Sequence, residues 1–154
     1  MEKPEVVSLY ISAEARQLPT SVNEAHAVPG KGLEGDRYFN RTGTFSTHPA
    51  GDNELTLIEI EAIDALRGEC KLEMKPADAR RNIVTRGVAL NHLVGREFKI
   101  GTVSLRGIRL CEPCSHLESL TMPGVKSGLV HRGGLRAQVL TEGMIRVGDP
   151  VCKA

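Results

Sequence analysis

The chain has no tryptophan, and three phenylalanines and two tyrosines are the rest of its aromatic set. A core so poor in rings has to be filled by Val, Ile, Leu and Ala. Charge of one sign is missing too: 20 Lys plus Arg stand against 19 Asp plus Glu, a formal net charge of +1. No overall field therefore draws the protein to nucleic acid or to an anionic membrane surface, and any anion site has to be local. No stretch approaches the roughly 20 apolar residues of a membrane span. The opening run MEKPEVVSLYISAE is interrupted by Glu2 and Glu5, and its apolar part is too short for a secretory signal, so the expected location is the cytoplasm. In that compartment Cys70, Cys111, Cys114 and Cys152 are not read as a disulfide framework. Free thiols, metal ligation and reversible redox chemistry are the readings left.

What the chain does have is glycine. Its 16 glycines and 8 prolines are dispersed without a period, which indicates many short strands joined by tight turns rather than a helical bundle or a repeat array. The length suits one domain over residues 1–154. Val6 to Ile11 is a β-branched first strand, and Val22 to Val28 reads as a second. Gly30-Lys31-Gly32-Leu33-Glu34-Gly35 has the G-x-G-x-x-G spacing of a dinucleotide loop. Such a loop opens a long helix, whereas Tyr38-Phe39-Asn40-Arg41-Thr42-Gly43 is rich in turn formers, so the nucleotide reading is set aside. The better account is a sharp turn that fixes Asp36 and Arg37, because glycine permits positive φ and close backbone approach.

Thr42 to Asn53 reads as a long loop at a pocket rim and carries His48. Glu54 to Ile58 is a predicted strand. Glu59 to Cys70 is a predicted helix with Ile60, Ile63 and Leu66 at three-residue spacing, ending at Gly68. Arg80 to Thr85, Phe98 to Ile100 and Val103 to Leu110 follow as strands, with one or two helical turns over Val88 to Val94. The apolar phase changes after Gly107, which predicts a bulge of the kind that barrels use. Short helices over Ser115 to Leu120 and Val125 to His131 precede a strand at Leu135 to Val139 and an antiparallel return through Ile145 and Val147. The fold class is mostly β and barrel-like, with a few short helices.

Candidate chemistry gathers between Arg80 and Leu117, where Arg80 and Arg81 stand beside Asn82 and a strand delivers Cys111-Glu112-Pro113-Cys114. Several roles fit the paired cysteines. Structural zinc needs four ligands, for which His116, His131 and Cys152 are available in principle. A dithiol switch expects an exposed thiol at a helix start in a βαβ unit, which glycine-rich strands do not provide. Two buried, inert cysteines are the plain alternative. A single reactive thiolate is the fourth reading. Cys114 is then preferred, because a helix opening at Ser115 favours negative charge, and Arg80, Arg81 or Arg37 would lower the thiol pKa further if folding brings them near. Such a thiolate carries sulfane sulfur or binds a soft metal.

Taken together, Gly30 to Arg37, Arg81-Asn82-Ile83-Val84-Thr85-Arg86-Gly87, Cys111-Glu112-Pro113-Cys114 with Leu117, Gly133-Gly134-Leu135-Arg136-Ala137 and Gly148-Asp149 resemble the MOSC family, named after the C-terminal part of molybdenum cofactor sulfurases. The resemblance implies a β-rich, barrel-like fold in which Cys114 is the family's cysteine, receiving sulfur or ligating molybdenum of the molybdenum cofactor. Cys111 belongs to a common variant and is the second catalytic candidate. The resemblance further implies that Arg81 and Asn82 anchor the pterin phosphate, with Arg37 and Thr85 as additional candidates; Asp36, fixed by the glycine turn, and His48, in the rim loop, complete the cofactor-binding candidates. Guanidinium forks match phosphate oxygens, and a soft thiolate suits molybdenum or persulfide sulfur. Pyridoxal phosphate is associated with the family only at the domain level, since 154 residues leave no room for a desulfurase domain and its lysine. The added N-terminal barrel of molybdenum-dependent reductases of N-hydroxylated compounds is likewise not expected.

The expected function is a molybdenum-cofactor or sulfur-handling protein, with Cys114 binding molybdenum or carrying persulfide sulfur beside a basic pocket. A reductase of N-hydroxylated compounds and a non-catalytic anion-binding domain are the alternatives. Expected partners are a pterin cofactor or other small anion, and a sulfur donor, a sulfur acceptor or an electron-transfer protein; nucleic acid and membrane are not among them.

Overall fold

Strand β1 (Glu5–Ile11) turns Val6 and Leu9 into the main core and Tyr10 to the opposite side, a pattern that a regular pleat forbids and that the register shift between Val6 and Ser8 permits. It belongs to a computed structural model that describes residues 3–13, 19–36, 39, 54–69, 75–111 and 133–153. Strands β2 (Thr20–Val22), β3 (Glu24–Val28), β4 (Gly32–Leu33) and β5 (Leu55–Glu59) come next. Helix α1 (Ile60–Glu69) and a 3-10 turn (Pro76–Ala79) lead to β6 (Ile83–Arg86), and a second 3-10 turn (Leu90–Leu93) leads to β7 (Glu97–Ile100). Strands β8 (Val103–Leu110), β9 (Leu135–Val139), β10 (Gly143–Arg146) and β11 (Val151–Lys153) complete the described elements.

The large sheet has the order β11-β7-β8-β9-β5-β6-β1-β2 and the small one β10-β3-β4. Pairing in the large sheet is antiparallel except between β5 and β6, which run parallel, so their connection has to cross over. Helix α1 makes that crossing. It buries Ala62, Ile63 and Leu66 against Ile58, Val84, Tyr10 and Ala79, and it runs one residue past Gly68. Glu61 in its first turn and Arg67 in its last suit the helix dipole.

The large sheet curls until β1 reaches the β11 edge. Val6 N–H donates to Asp149 O (2.9 Å), Gly148 N–H to Val6 O (2.8 Å) and Val151 N–H to Pro4 O (3.1 Å). Leu9, Leu55, Leu57, Ile83, Phe98, Ile100, Val103, Leu105, Leu135 and Ala137 fill the inside. Each such Leu or Ile contributes about 1.5–3 kcal/mol by leaving water. Ala25, Ala27, Leu33 and Ile145 of the small sheet join the same cluster and cover one side of it.

The fold is mostly β, as expected, and the register shift expected at Gly107 lies between Gly107 and Arg109 on β8. One strand was not resolved correctly by the pattern. Val22 to Val28 divides at Asn23, with β2 pairing to β1 and β3 to the small sheet, because the chain changes sheets there and Asn23 O accepts from Val147 N–H (3.0 Å). The stretches read as helices over 115–120 and 125–131, and the 42–53 loop, lie outside the described residues.

Candidate functional site

One end of the large sheet gathers the candidate residues. The chain enters β6 through Arg80, whose φ of 57° is left-handed and is the one positive value among the described non-glycine residues. This sparsely populated conformation ends the 3-10 turn abruptly and directs Arg81 and Asn82 into the sheet margin. Arg81 is 9% exposed. Its Nε donates to Gly133 O (2.9 Å) and its Nη2 to Cys111 O (3.2 Å). Cys111 follows β8 and Gly133 precedes β9, so one guanidinium ties together the two ends of the 112–132 segment, which carries Cys114. Cys111 N–H reinforces the neck by donating to Gly134 O (2.7 Å). The remaining Nη1 of Arg81 has no acceptor among the described residues.

Gly134 fits this neck because of its backbone. Its φ is 112°, and an added Cβ would overlap the Leu57 carbonyl. Cys111 itself is buried, so its thiol packs as a small hydrophobe at the margin of the core.

Asn82 is also buried and almost fully engaged. Its Oδ1 accepts from Thr56 N–H (3.0 Å) and Thr56 Oγ1–H (3.3 Å), and its Nδ2 donates to Tyr10 O (3.1 Å). Its backbone N–H donates to Thr56 Oγ1 (3.1 Å) and its carbonyl accepts from Tyr10 N–H (2.8 Å). The side chain is thus a splice between β1, β5 and the start of β6. Asp36 converges on the same end of β1: it is fully buried, and its Oδ1 accepts from Ser12 N–H (2.9 Å).

The glycine turn that brings Asp36 there is built by close approach. At Gly32, with φ of 100°, an added Cβ would overlap the Glu54 carbonyl. The buried Glu54 carboxylate holds the turn from below, Oε1 accepting from Gly30 N–H (3.1 Å) and Val139 N–H (3.0 Å). That is the role read from the glycine spacing for Asp36; Arg37 lies outside the described residues.

Arg81, Asn82, Cys111 and Asp36 therefore lie around the C-terminal ends of β1 and β8 and the N-terminal ends of β5, β6 and β9. Thr85 is not brought there. It sits three residues further along β6, about 10 Å at strand rise, and its Oγ1 donates to Ile58 O (3.5 Å). Cys114, Arg37 and His48 lie outside the described residues. Cys152, weighed as a zinc ligand with Cys111, is exposed on β11 opposite Lys99, itself opposite Ser104. Ser104 is roughly 20 Å along β8 from Cys111 at strand rise, so these two thiols do not share an ion. Among the described residues no group of three His, Cys, Asp or Glu side chains is arranged to hold a metal.

Glu54 and Arg136 were not among the site candidates read from the sequence, although Arg136 stands in one of the stretches that carry the resemblance. Arg136 is buried on β9, in register with Thr56 on one side and Arg109 on the other, which concentrates guanidinium charge beside the Arg81 neck. Its signal was a charge inside an alternating apolar strand, Leu135, Ala137 and Val139, which alone reads as solvent-facing. Glu54 gave no such signal. A cavity of about 200 Å³, lined by Pro4, Val88, Leu93 and Val151 among others, lies at the other end of β1 and β6, away from these groups.

Comparison with known proteins agrees with this architecture. The model of the MOSC domain family matches residues 44–152. The YuaD protein from Bacillus subtilis is similar in structure at 16% identity and a TM-score of 0.77, over 97% of this chain and 94% of that one. YiiM from Geobacillus stearothermophilus aligns at 15% identity and 0.75, over 98% and 75% of the two chains. YiiM from Escherichia coli aligns at 18% and 0.68, over 100% and 70%. The comparison with curated proteins gives no match.

Proposed function

Because the chain belongs to the MOSC domain family, whose members are associated with molybdenum-cofactor binding or sulfur handling, we propose that it is a molybdenum-cofactor or sulfur-handling protein in which Cys114 binds molybdenum or carries persulfide sulfur. The observation that carries this reading is the Arg81 neck. A buried guanidinium holds Cys111 O and Gly133 O and keeps Nη1 available at the base of the segment that contains Cys114.

The donor set fits an anionic, sulfur-seeking group. Arg81 supplies fixed N–H donors for a phosphate oxygen, Arg136 and Arg109 add positive charge, and a cysteine thiolate is a soft ligand suited to molybdenum or sulfane sulfur. Arg37 and His48 join as further binding groups in this proposal. Asn82 acts through position: by splicing β1 to β5 it holds the backbone on which Arg81 stands. Asp36 similarly fixes the chain that leads into Arg37 by accepting from Ser12 N–H. Bound molybdenum would supply two-electron redox chemistry; the chain's own part is to fix the anion, exclude water around the neck and present one thiolate.

The test is metal analysis with intact mass, on wild type and Cys114→Ala purified anaerobically from a host that makes the cofactor. Near-stoichiometric molybdenum, or a mass gain of one sulfur, is expected in the wild type and lost in the variant. Neither signal in the wild type, with cofactor supply verified on a control enzyme, would overturn the reading.

A further inference from the structure

We propose that His26, held between the carboxylates of Glu34 and Glu142, is a pH-sensitive latch that fastens the glycine-rich turn carrying Asp36 to the turn between β9 and β10. His26 lies on β3, with Nδ1 2.8 Å from Glu34 Oε2 and Nε2 2.8 Å from Glu142 Oε2. The three residues come from three separate stretches of chain, 8 and 116 residues apart. A neutral imidazole has one N–H, so only the protonated ring donates to both carboxylates at once. The hydrogen bond to Glu34 first, and that to Glu142 second, hold the ring's pKa above the usual histidine value.

The surrounding charges leave this arrangement undisturbed. Met144 is directly opposite His26 on β10, and two rungs along, on the same face, Glu24 stands against Arg146, paired at 3.0 Å. The cation nearest along the sheet is therefore already engaged. On the β4 side Glu34 is the facing charge, and its backbone N–H donates to His26 O (2.9 Å).

Mechanically, the turn has two ties to the β9–β10 segment. Its start is tied through Glu54 Oε1, which accepts from both Gly30 and Val139. Its end is tied through His26, and from Glu34 only Gly35 separates the latch from Asp36, whose amide donates to Leu33 O (3.1 Å) and whose carboxylate holds Ser12. When pH rises through the His26 pKa, one ring nitrogen presents a lone pair to a carboxylate and one arm of the latch is lost. The start of the turn stays held while the Glu34–Asp36 end loosens. Any consequence for ligand binding rests on the proposed site; the latch itself does not.

The experiment combines NMR titration of the His26 ring with pH-resolved amide exchange, corrected for intrinsic rates, on wild type, Glu142→Gln and His26→Gln. Exchange at Glu34 and Asp36 is expected to quicken several-fold across the His26 titration, with Gly30 and Val139 unchanged. E142Q should move both the ring pKa and the exchange step to lower pH, and H26Q should abolish the step. An absent step in wild type, or one that persists in H26Q, overturns the latch. No metal enters these measurements, so failure of the cofactor reading leaves their outcome intact.

Discussion

Replacing Arg81 by methionine keeps an unbranched apolar stem and removes the donors. Cys111 O and Gly133 O then lose their shared partner at a site where the side chain is 9% exposed. A hydrogen bond from a charged donor is worth roughly 1.5–3 kcal/mol, and a buried carbonyl left unpaired costs about 1–3 kcal/mol. The two bonds share one group, so their losses do not simply add, and the expected destabilisation is roughly 2–5 kcal/mol. For a chain of this size that corresponds to a fall in Tm of roughly 5–15 °C. Arg81→Lys presents a point charge instead of a fork and should keep one of the two contacts, giving an intermediate loss. Urea unfolding measures the magnitude. Amide exchange at Cys111, whose N–H donates to Gly134 O, reports the neck locally and should accelerate in Arg81→Met before global unfolding. An R81M protein within about 0.5 kcal/mol of wild type, the range of an ordinary surface substitution, and with unchanged Cys111 exchange, would refute the clasp.

Gly134→Ala should destabilise by more than about 2 kcal/mol in urea unfolding, since the methyl overlaps the Leu57 carbonyl at a φ of 112°. Asn82→Asp replaces the N–H donated to Tyr10 O by a carboxylate oxygen, and should destabilise by about 2–4 kcal/mol at neutral pH. The defect should shrink in acid, because a protonated carboxyl can donate to that carbonyl; a pH-independent defect would count against the assigned hydrogen bond. Glu59 is held above the usual glutamate pKa, first by burial and then by the neighbouring Glu61 charge. A group with a raised folded pKa contributes stability that is full below the unfolded value and is lost as pH rises through the folded one. Glu59→Gln should therefore raise Tm at pH 7 and lose its advantage below the ordinary glutamate pKa of about 4.3, a crossover that thermal melts at the two pH values would reveal.

The strands were legible where a period-2 pattern met a turn former. β1, β7 and β8 stand close to their expected bounds, and even the bulge at Gly107 was visible, because a change of apolar phase inside one strand has few other causes. The split at Asn23 was not. Both halves are extended, so the local pattern is the same whether the chain continues in one sheet or changes to another, and the choice is made by Val147 across the fold. The parallel pairing of β5 with β6 was implicit in the helix between them, since a crossover of that length permits it, but the partner strand is decided by burial on both faces: Leu57 and Ile83 inside, Ile58 and Val84 beneath α1.

The site divides along a similar line. Arg81, Asn82, Cys111 and Asp36 were identifiable by residue type, and they do meet at one end of the sheet. Their partners were not identifiable, because those partners are mostly backbone: Gly133 O, Cys111 O, Tyr10 O and Ser12 N–H leave no mark on the sequence. Chemistry-bearing side chains next to one another therefore invite a ligand reading first. The geometry redistributes the work. Asn82 and the carboxylates of Asp36 and Glu54 are spent on making the backbone come together, and Arg81 is shared between that task and the space beside it. A guanidinium that already anchors both ends of a segment transmits any displacement to that segment, so an anion bound at Nη1 would pull on the same carbonyls that set where Cys114 begins. Under the proposed function, affinity for the anion and the placement of the Cys114 thiolate would be coupled through one side chain, and the Arg81→Lys variant should weaken both together rather than either alone.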